Sequence, residues 1–492
     1  MIVSLLILGA FLFFSLFLGI RAKRGKDMDL EQWTVGGRGF GTLFVFLLMA
    51  GEIYTTFTFL GGSGWAYGKG GPALYILVYG TLAYVLSYWL LPPVWTYAKR
   101  KNLMSQSDFF VSKYKSPALG IFVSLVGIVA LIPYLVLQLK GLGIIVSEAS
   151  YGAISPAVSV WIGLITVTAY VMLSGIHGSA WTAVVKDILI LGIVVFLGIY
   201  LPIHYYGGFQ PMFASIEAAK PGFLTLPDSG MSISWFISTI VLTVFGYYMW
   251  PHTFASSYTA QNAKVFKKNA IFMPLYSVVL IFVLFVGFAA ILKVPGLKGA
   301  DADLSLFRLS VQAFDPWMIG LIGAAGLLTA LVPGSMMLMA AATLFAKNVY
   351  KAAVPSASDQ QVAKLAKYLV PVIALIAAFF TFNGGNTIVT LLLMGYSLVT
   401  QLFPALLFSL FPKRFVTKEG AFAGIAAGVL VVAYTTIAGT TAADLFPSFP
   451  QAVKDLNIGI IALFFNVVLM MGVSFFTQPK ASQANLNKEQ SA

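Results

Sequence analysis

Residues 44–65 read FVFLLMAGEIYTTFTFLGGSGW. The stretch begins as a membrane helix and then departs from one, with Gly51 and Glu52 in its middle and a Gly61/Gly62/Gly64 cluster beyond. Glu52 lies about 11 residues into the helix, roughly 16 Å at 1.5 Å per residue, which is near the midplane of a bilayer. A carboxylate at that depth is costly unless it faces a cavity or a partner, so it marks a functional position. A second stretch shares the oddity: residues 245–253 read FGYYMWPHT, interrupted by Gly246 and Pro251. Both read as broken helices. They run in opposite directions, and each opens a set of five spans. Discontinuous helices at matching positions of two inverted halves point to the binding site of a secondary transporter.

The composition around these stretches demands lipid. Of 492 residues 59% are hydrophobic and only 10% charged, far from the balance of a soluble domain. The apolar segments lack the period-2 alternation of a barrel strand, which leaves helices. The reading is an all-α polytopic membrane protein of about thirteen spans, near 2–20, 41–60, 72–91, 118–147, 157–174, 180–202, 234–254, 271–292, 317–346, 368–382, 387–411, 420–438 and 457–476. Residues 2–20 have no basic stretch before them and no small-residue cleavage site after them, so they read as a retained helix with its N-terminus outside. Of the 30 Lys and Arg, twenty-two fall at 21–38, 99–115, 264–268, 347–367, 413–418 and 480–488, all on one side of this topology. Six fall on the other (Lys69, Lys220, Lys293, Lys298, Arg308, Lys454) and two, Lys140 and Lys186, within spans. Cytoplasmic loops collect basic residues, so the chain is expected in the plasma (inner) membrane with its C-terminus inside.

The formal charge of +13 is spread over these short loops and forms no patch with interleaved aromatics, so no nucleic-acid partner is expected. There is no cysteine, and the three histidines, His177, His204 and His252, are scattered. That argues against redox chemistry and against a membrane-embedded enzyme, which needs a cluster of reactive groups at depth. No cofactor is expected, and nothing in the sequence speaks to oligomeric state.

Five motifs make the chain recognisable: DLEQWTVGGRGFG (29–41), AKRKNLMSQSDFFVSKYKS (98–116), IPYLVLQLKGLG (132–143), WPHTFASSYTAQNAKVFKKN (250–269) and the run 329–350. In this order and spacing the chain resembles the sodium:solute symporter family, and within it the branch of pantothenate and monocarboxylate permeases. The resemblance implies a leucine-transporter-type fold: a five-plus-five inverted repeat with one helix before it and two after. On this chain that gives an accessory helix and loop at 1–40, repeats at 41–206 and 234–411, two peripheral helices at 412–476 and a polar cytoplasmic tail at 477–492.

Only Glu52, Lys140, Lys186 and Asp187 carry charge inside the expected spans. Glu52 would face the solute or a hydrogen-bonding neighbour. Lys140, near the outer end of a long helix, is expected to snorkel to the interface. The resemblance implies that sodium-coupled members bind the ion with two carbonyls of the first broken helix, here placed at Phe46 and Met49, and with an Ala-x-x-Ser-Ser/Thr segment. That segment reads Ala330-Leu331-Val332-Pro333-Gly334, so both hydroxyls are missing unless Ser335 or Thr329 substitutes, and the sodium site is degenerate. The family's Trp-Thr-Asp reads Trp181-Thr182-Ala183, followed one turn on by Lys186. A lysine ammonium can occupy the place of a bound cation and release a proton during the cycle. Lys186 and Asp187 are therefore proton-coupling candidates, the other reading being a pair near the inner end reaching water. Adjacent helical residues point about 100° apart and need not meet.

Between the breaks, the solute-binding candidates are Glu52, Thr55, Thr56, Tyr134, Gln138, Tyr247 and Trp250, with Tyr54, Tyr248 and His252 beside them. Aromatics with few polar groups suit a compact, partly apolar solute. A solute carboxylate is expected on the free N–H groups of a half-helix, and no arginine lies within the spans to clamp a dianion. The expected function is ion-coupled symport of a small monocarboxylate or amino acid by alternating access, with proton and sodium both open as the coupling ion. The alternatives are sodium-coupled symport of another small solute, such as pantothenate, proline or sugar, and a passive channel.

Overall fold

The computed structural model describes residues 1–22, 24, 29–413 and 415–478. Lys23, Lys26, Arg414 and the tail from 479 onward, with Lys480 and Lys488, lie outside the described residues. The described residues are helical, with no strand among them and one sheet-like pairing of Phe40 with Ala260. Eleven helices are long and apolar enough to cross a membrane, and twelve when the bent pair Ile233–Tyr247 and Pro251–Ser257 is taken as one span. The expected span at 41–60 is the exception. Its helix is Thr42–Gly51, ten residues long, which is too short to cross alone.

The spans expected at 157–174 and 180–202 lie within Pro156–Tyr206 and turn at Gly175, whose φ of 56° and ψ of −156° suit glycine. Trp33 fills the bend so closely that a Cβ on Gly175 would stand 2.5 Å from its ring. The centre of the bundle is Pro316–Thr343, which packs on Ile2–Ala22, Pro117–Ala149 and Pro156–Tyr206. It is apolar all round and built of Ala, Gly, Leu and Met, so neighbours can approach it on every side. Large apolar side chains such as Phe13, Ile188, Leu275, Leu430 and Phe476 point outward, as lipid contact requires.

At the end of the bundle that carries the basic loops, short helices close the floor. Arg38 donates to the Leu103 carbonyl at 2.7 Å, and the Gln106–Tyr114 helix is tied down through Asp108, which pairs with Lys347 and accepts from Asn348 Nδ2 at 2.7 Å. Burial pushes the Asp108 carboxyl up, but Lys347, Asn348 and the Met104 N–H together hold it below the usual carboxylate range.

The C-terminal pair, Lys418–Ala438 and Ile458–Thr477, meets along a glycine seam. A Cβ on Gly420 would lie 1.9 Å from Ser474 Oγ, one on Gly424 2.6 Å from Met470 Cβ, and one on Gly428 2.1 Å from Gln401 Oε1. Between lipid-exposed helices the attraction is close packing plus polar contacts; both helices also pack on Gln401 of the preceding span, whose carbonyl accepts from Asn466 Nδ2 at 2.7 Å. Gly424→Leu should therefore part the two helices and cost about 1–3 kcal/mol. The check is thermal unfolding of the purified protein in detergent: a melting temperature several degrees lower is expected, and an unchanged one would remove the seam's role.

Candidate functional site

The first broken helix mends itself only in part. The Thr42–Gly51 helix stops before Glu52, residues 52–55 are unwound, and a wide turn over Phe57–Gly62 leads into the Ser63–Lys69 helix. Two threonines take up the loose backbone. Thr58 Oγ1 donates to the Ile53 carbonyl at 2.7 Å and accepts from the Thr55 N–H at 3.1 Å, while Thr55 Oγ1 accepts from the Phe57 N–H at 3.1 Å. The half-helix N–H groups of Thr55 and Phe57, expected to be open to a solute carboxylate, are thus already capped by side chains.

The carbonyls on the other side of the break are taken by Lys186. Its ammonium donates to the Gly51 carbonyl at 2.9 Å, lies 3.5 Å from the Tyr54 carbonyl, and is 3.0 Å from Asp187 Oδ1. Both side chains are buried, Lys186 completely, so the reading in which the pair reaches water is set aside. Adjacent residues diverge at Cβ, yet the four-carbon lysine stem is long enough to turn back on Asp187. Gly51 makes the approach possible, since a Cβ there would lie 2.6 Å from the ammonium nitrogen.

The carbonyls facing this cation are those of Gly51 and Tyr54, which differ from Phe46 and Met49, the positions expected to face sodium. The Met49 carbonyl instead accepts from the hydroxyls of Tyr84 at 3.1 Å and Tyr247 at 3.2 Å, and the Phe46 ring packs on Tyr276. Ala330 and Gly334 line a small apolar cavity with Gln138, Val167, Ala374 and Ala377, and Pro333 is buried in the same helix. The hydroxyls that might have replaced the missing oxygens are engaged elsewhere: Thr329 donates to the Gly326 carbonyl, and Ser335 donates to Val332 and shares a 2.8 Å hydrogen bond with Ser179.

The two breaks face each other across Glu52. Its Oε1 accepts from Ser256 Oγ at 2.8 Å, and its backbone carbonyl lies 3.4 Å from the Tyr134 hydroxyl. The Tyr134 ring centre is 4.8 Å from that of Trp250 and 5.5 Å from His252, and Tyr396 flanks the other side of Trp250 at 5.2 Å. Glu52, Tyr134, Tyr247 and Trp250 are therefore brought together, while Thr55 is spent on the backbone. Thr56 turns its methyl onto Gly141 and leaves its hydroxyl free. Glu52 Oε2, Thr56 Oγ1, His252 Nδ1 and both amide atoms of Gln138 are buried without a hydrogen-bond partner. Buried polar groups in that state are costly unless a water, an ion or a ligand reaches them. On the basic-loop side of Ser256 a small cleft of about 20 Å³ is lined by His252, Gln106, Met336 and Thr343, among others.

Ser256, Tyr84 and Tyr396 were not anticipated. Ser256 stands one turn beyond His252 in a quoted motif, a signal that was present; Tyr396 carries no local signal. Lys140 remains partly exposed and also forms a 2.7 Å ion pair with Asp303, a fully buried carboxylate far along the chain.

The sequence matches the sodium:solute symporter family over residues 33–428. It is 72% identical over 481 residues to the uncharacterized symporter YhjB of Bacillus subtilis, covering 98% of each chain. It is 30% identical to a monocarboxylate transport permease protein of Rhizobium johnstonii, over 86% of this chain and 88% of that one. Among solved structures, a Na+-coupled sialic acid symporter in a substrate-bound outward-open state superposes with a TM-score of 0.77 at 18% identity, over 97% of this chain and 98% of the other. The helices, the paired breaks and these matches agree: the chain is a multi-pass membrane protein that belongs to the sodium:solute symporter family.

Proposed function

We propose that this chain is a symporter for a small carboxylate-bearing solute, of monocarboxylate or amino acid type, in which a proton exchanged at Lys186 does the work of a bound sodium ion. The observation that carries the reading is the Lys186 ammonium seated on the Gly51 and Tyr54 carbonyls beside Asp187. A protonated lysine supplies the donor these carbonyls need. When the proton leaves, the ammonium's charge goes with it, and the break is free to reshape. The segment that would hold sodium in the family has Pro333 and Gly334 in place of hydroxyls, which supports a cation built into the protein over one borrowed from solution. The monocarboxylate reading is supported by the Rhizobium relative and by the aromatic walls around Glu52.

In this reading the repeats are 41–206 and 234–411, inverted relative to each other, with 1–40 before them and 412–476 after. The solute sits between the breaks among Glu52, Thr56, Tyr134, Gln138, Tyr247 and Trp250. The basic loops face the cytoplasm of a plasma membrane, with the N-terminus outside. Sodium coupling is the second reading, favoured by the family to which the chain belongs.

Reconstitution in liposomes separates the two. Uptake of labelled pyruvate, lactate, alanine, proline and pantothenate should follow an imposed proton gradient and ignore a sodium gradient; sodium-driven uptake with no response to pH would sink the proton reading. Lys186→Ala should abolish accumulation yet leave solute exchange across the membrane.

A finer test uses the close fit at the break. Gly51→Ala adds one methyl where the ammonium now lies, so accumulation should fall by about tenfold or more, the size of loss that a misplacement of about 1 Å produces. Western quantification of the membrane fraction controls for expression, and full activity of this variant would count against the seating of Lys186.

A further inference from the structure

Four segments remote in sequence meet at the Asp303 carboxylate. Asp303 belongs to the turn Gly299–Leu304, which precedes the long helix starting at Pro316, whereas Lys347 and the basic loops lie at that helix's far end. Asp303 Oδ2 accepts from Lys140 Nζ at 2.7 Å and from the Ile388 N–H at 3.0 Å, and the same ammonium donates to the Asn386 carbonyl at 2.9 Å. The fourth segment is the far half of the first broken helix. Gly64 lies so close that a Cβ there would stand 2.9 Å from Asp303 Oδ1, and one residue on, Trp65 Nε1 donates to Thr387 Oγ1 at 3.3 Å. The carboxylate is sealed from solvent, while the lysine side chain keeps 21% of its exposure. The pair therefore stands at the boundary between water and the protein interior.

What lies beneath the pair is a continuous run of rings. From Trp65 the ring centres step 5.6 Å to Tyr75, 5.8 Å to Tyr79, 5.9 Å to Tyr396 and 5.2 Å to Trp250, next to Glu52's partner Tyr134. Asp303 bridges two helices, Pro117–Ala149 through Lys140 and Ile388–Val399 through the Ile388 N–H, and these are the two that grip Trp250, one through Tyr134 and the other through Tyr396 and Gly395. Separating them at the Asp303 end would loosen both the ring column and the grip on the second break.

We propose that Lys140 and Asp303 form the latch that holds the transport pathway shut on the face opposite the basic loops. They are positioning residues: neither touches the candidate solute site, and each acts by fixing the spacing of the helices that do. An ion pair with one partially hydrated partner suits this duty, because water is available to take up the lysine when the pair opens. The latch does not depend on which solute or ion is carried.

The absence of cysteine makes the test direct. Val389→Cys places a thiol at a fully buried site behind the pair, against Gly61, and Ala340→Cys places one in the cleft on the basic-loop side. A membrane-impermeant maleimide is applied to right-side-out and to inverted vesicles. In the Asp303→Asn background, labelling at position 389 should rise about tenfold or more from one side only, as expected when an equilibrium is released toward its open state. Labelling at position 340 should not rise with it. Lys140→Met should act in the same direction, and the exchange Lys140→Asp with Asp303→Lys should return labelling toward the parental rate. Unchanged labelling at 389 in both single variants, or a joint rise at both reporters that marks general loosening, would overturn the latch.

Discussion

A carbonyl oxygen inside a membrane needs a donor, and the gap after Gly51 leaves carbonyls that the helix can no longer serve. Everything at the centre of this protein is arranged around that need. Lys186 supplies the donor for Gly51 and reaches toward Tyr54, Tyr84 and Tyr247 supply it for Met49, and Thr58 supplies it for Ile53. A helix can be broken at mid-membrane only where neighbours stand ready to do this. Those neighbours come from the spans 71–100, 156–206 and 233–257, so the break acts as the knot that holds the bundle together.

The same arrangement separates the backbone's requirements from those of a ligand. Thr55, a solute candidate from the sequence, and its neighbour Thr58 are spent on the chain itself. Glu52 Oε2, Thr56 Oγ1, His252 Nδ1 and the Gln138 amide are among the buried polar groups without a hydrogen-bond partner. Trp250 lies at the crossing point. It is part of the second break, and it is clasped by Tyr134 and Tyr396 from two helices that also meet near Asp303. Motion at the surface and geometry at the centre are thus connected through packed rings rather than through a flexible linker.

The helical architecture and the two breaks were legible in the sequence because lipid imposes a length and a polarity that hydropathy records directly. Gly51, Glu52, Gly246 and Pro251 stood out as violations of that polarity. Lys186 stood out as a charge at depth, but its partners did not. Which carbonyl it meets depends on the rotation of one helix against another, and a shift of one residue turns a helix by about 100°. For that reason the contacts of Lys186 with Gly51 and Tyr54 could not be read from the sequence. The partner of Lys140 escaped notice for a related cause: Asp303 is 163 residues away, and a lysine near a helix end looks the same whether it reaches water alone or a carboxylate as well.

By itself the sequence determined that this protein lives in a membrane, that it is built of helices, that two of them are interrupted, and which family it resembles. These follow from local composition and from motif order, and neither requires knowledge of contacts. Only the tertiary structure decided which groups satisfy which. The seating of Lys186 on the first break, the engagement of Ser256 with Glu52, the capping of the half-helix by its own threonines and the Lys140–Asp303 pair all join residues on different elements or on either side of a kink. Their distances are set by how whole helices pack, a property that no single stretch of the chain encodes.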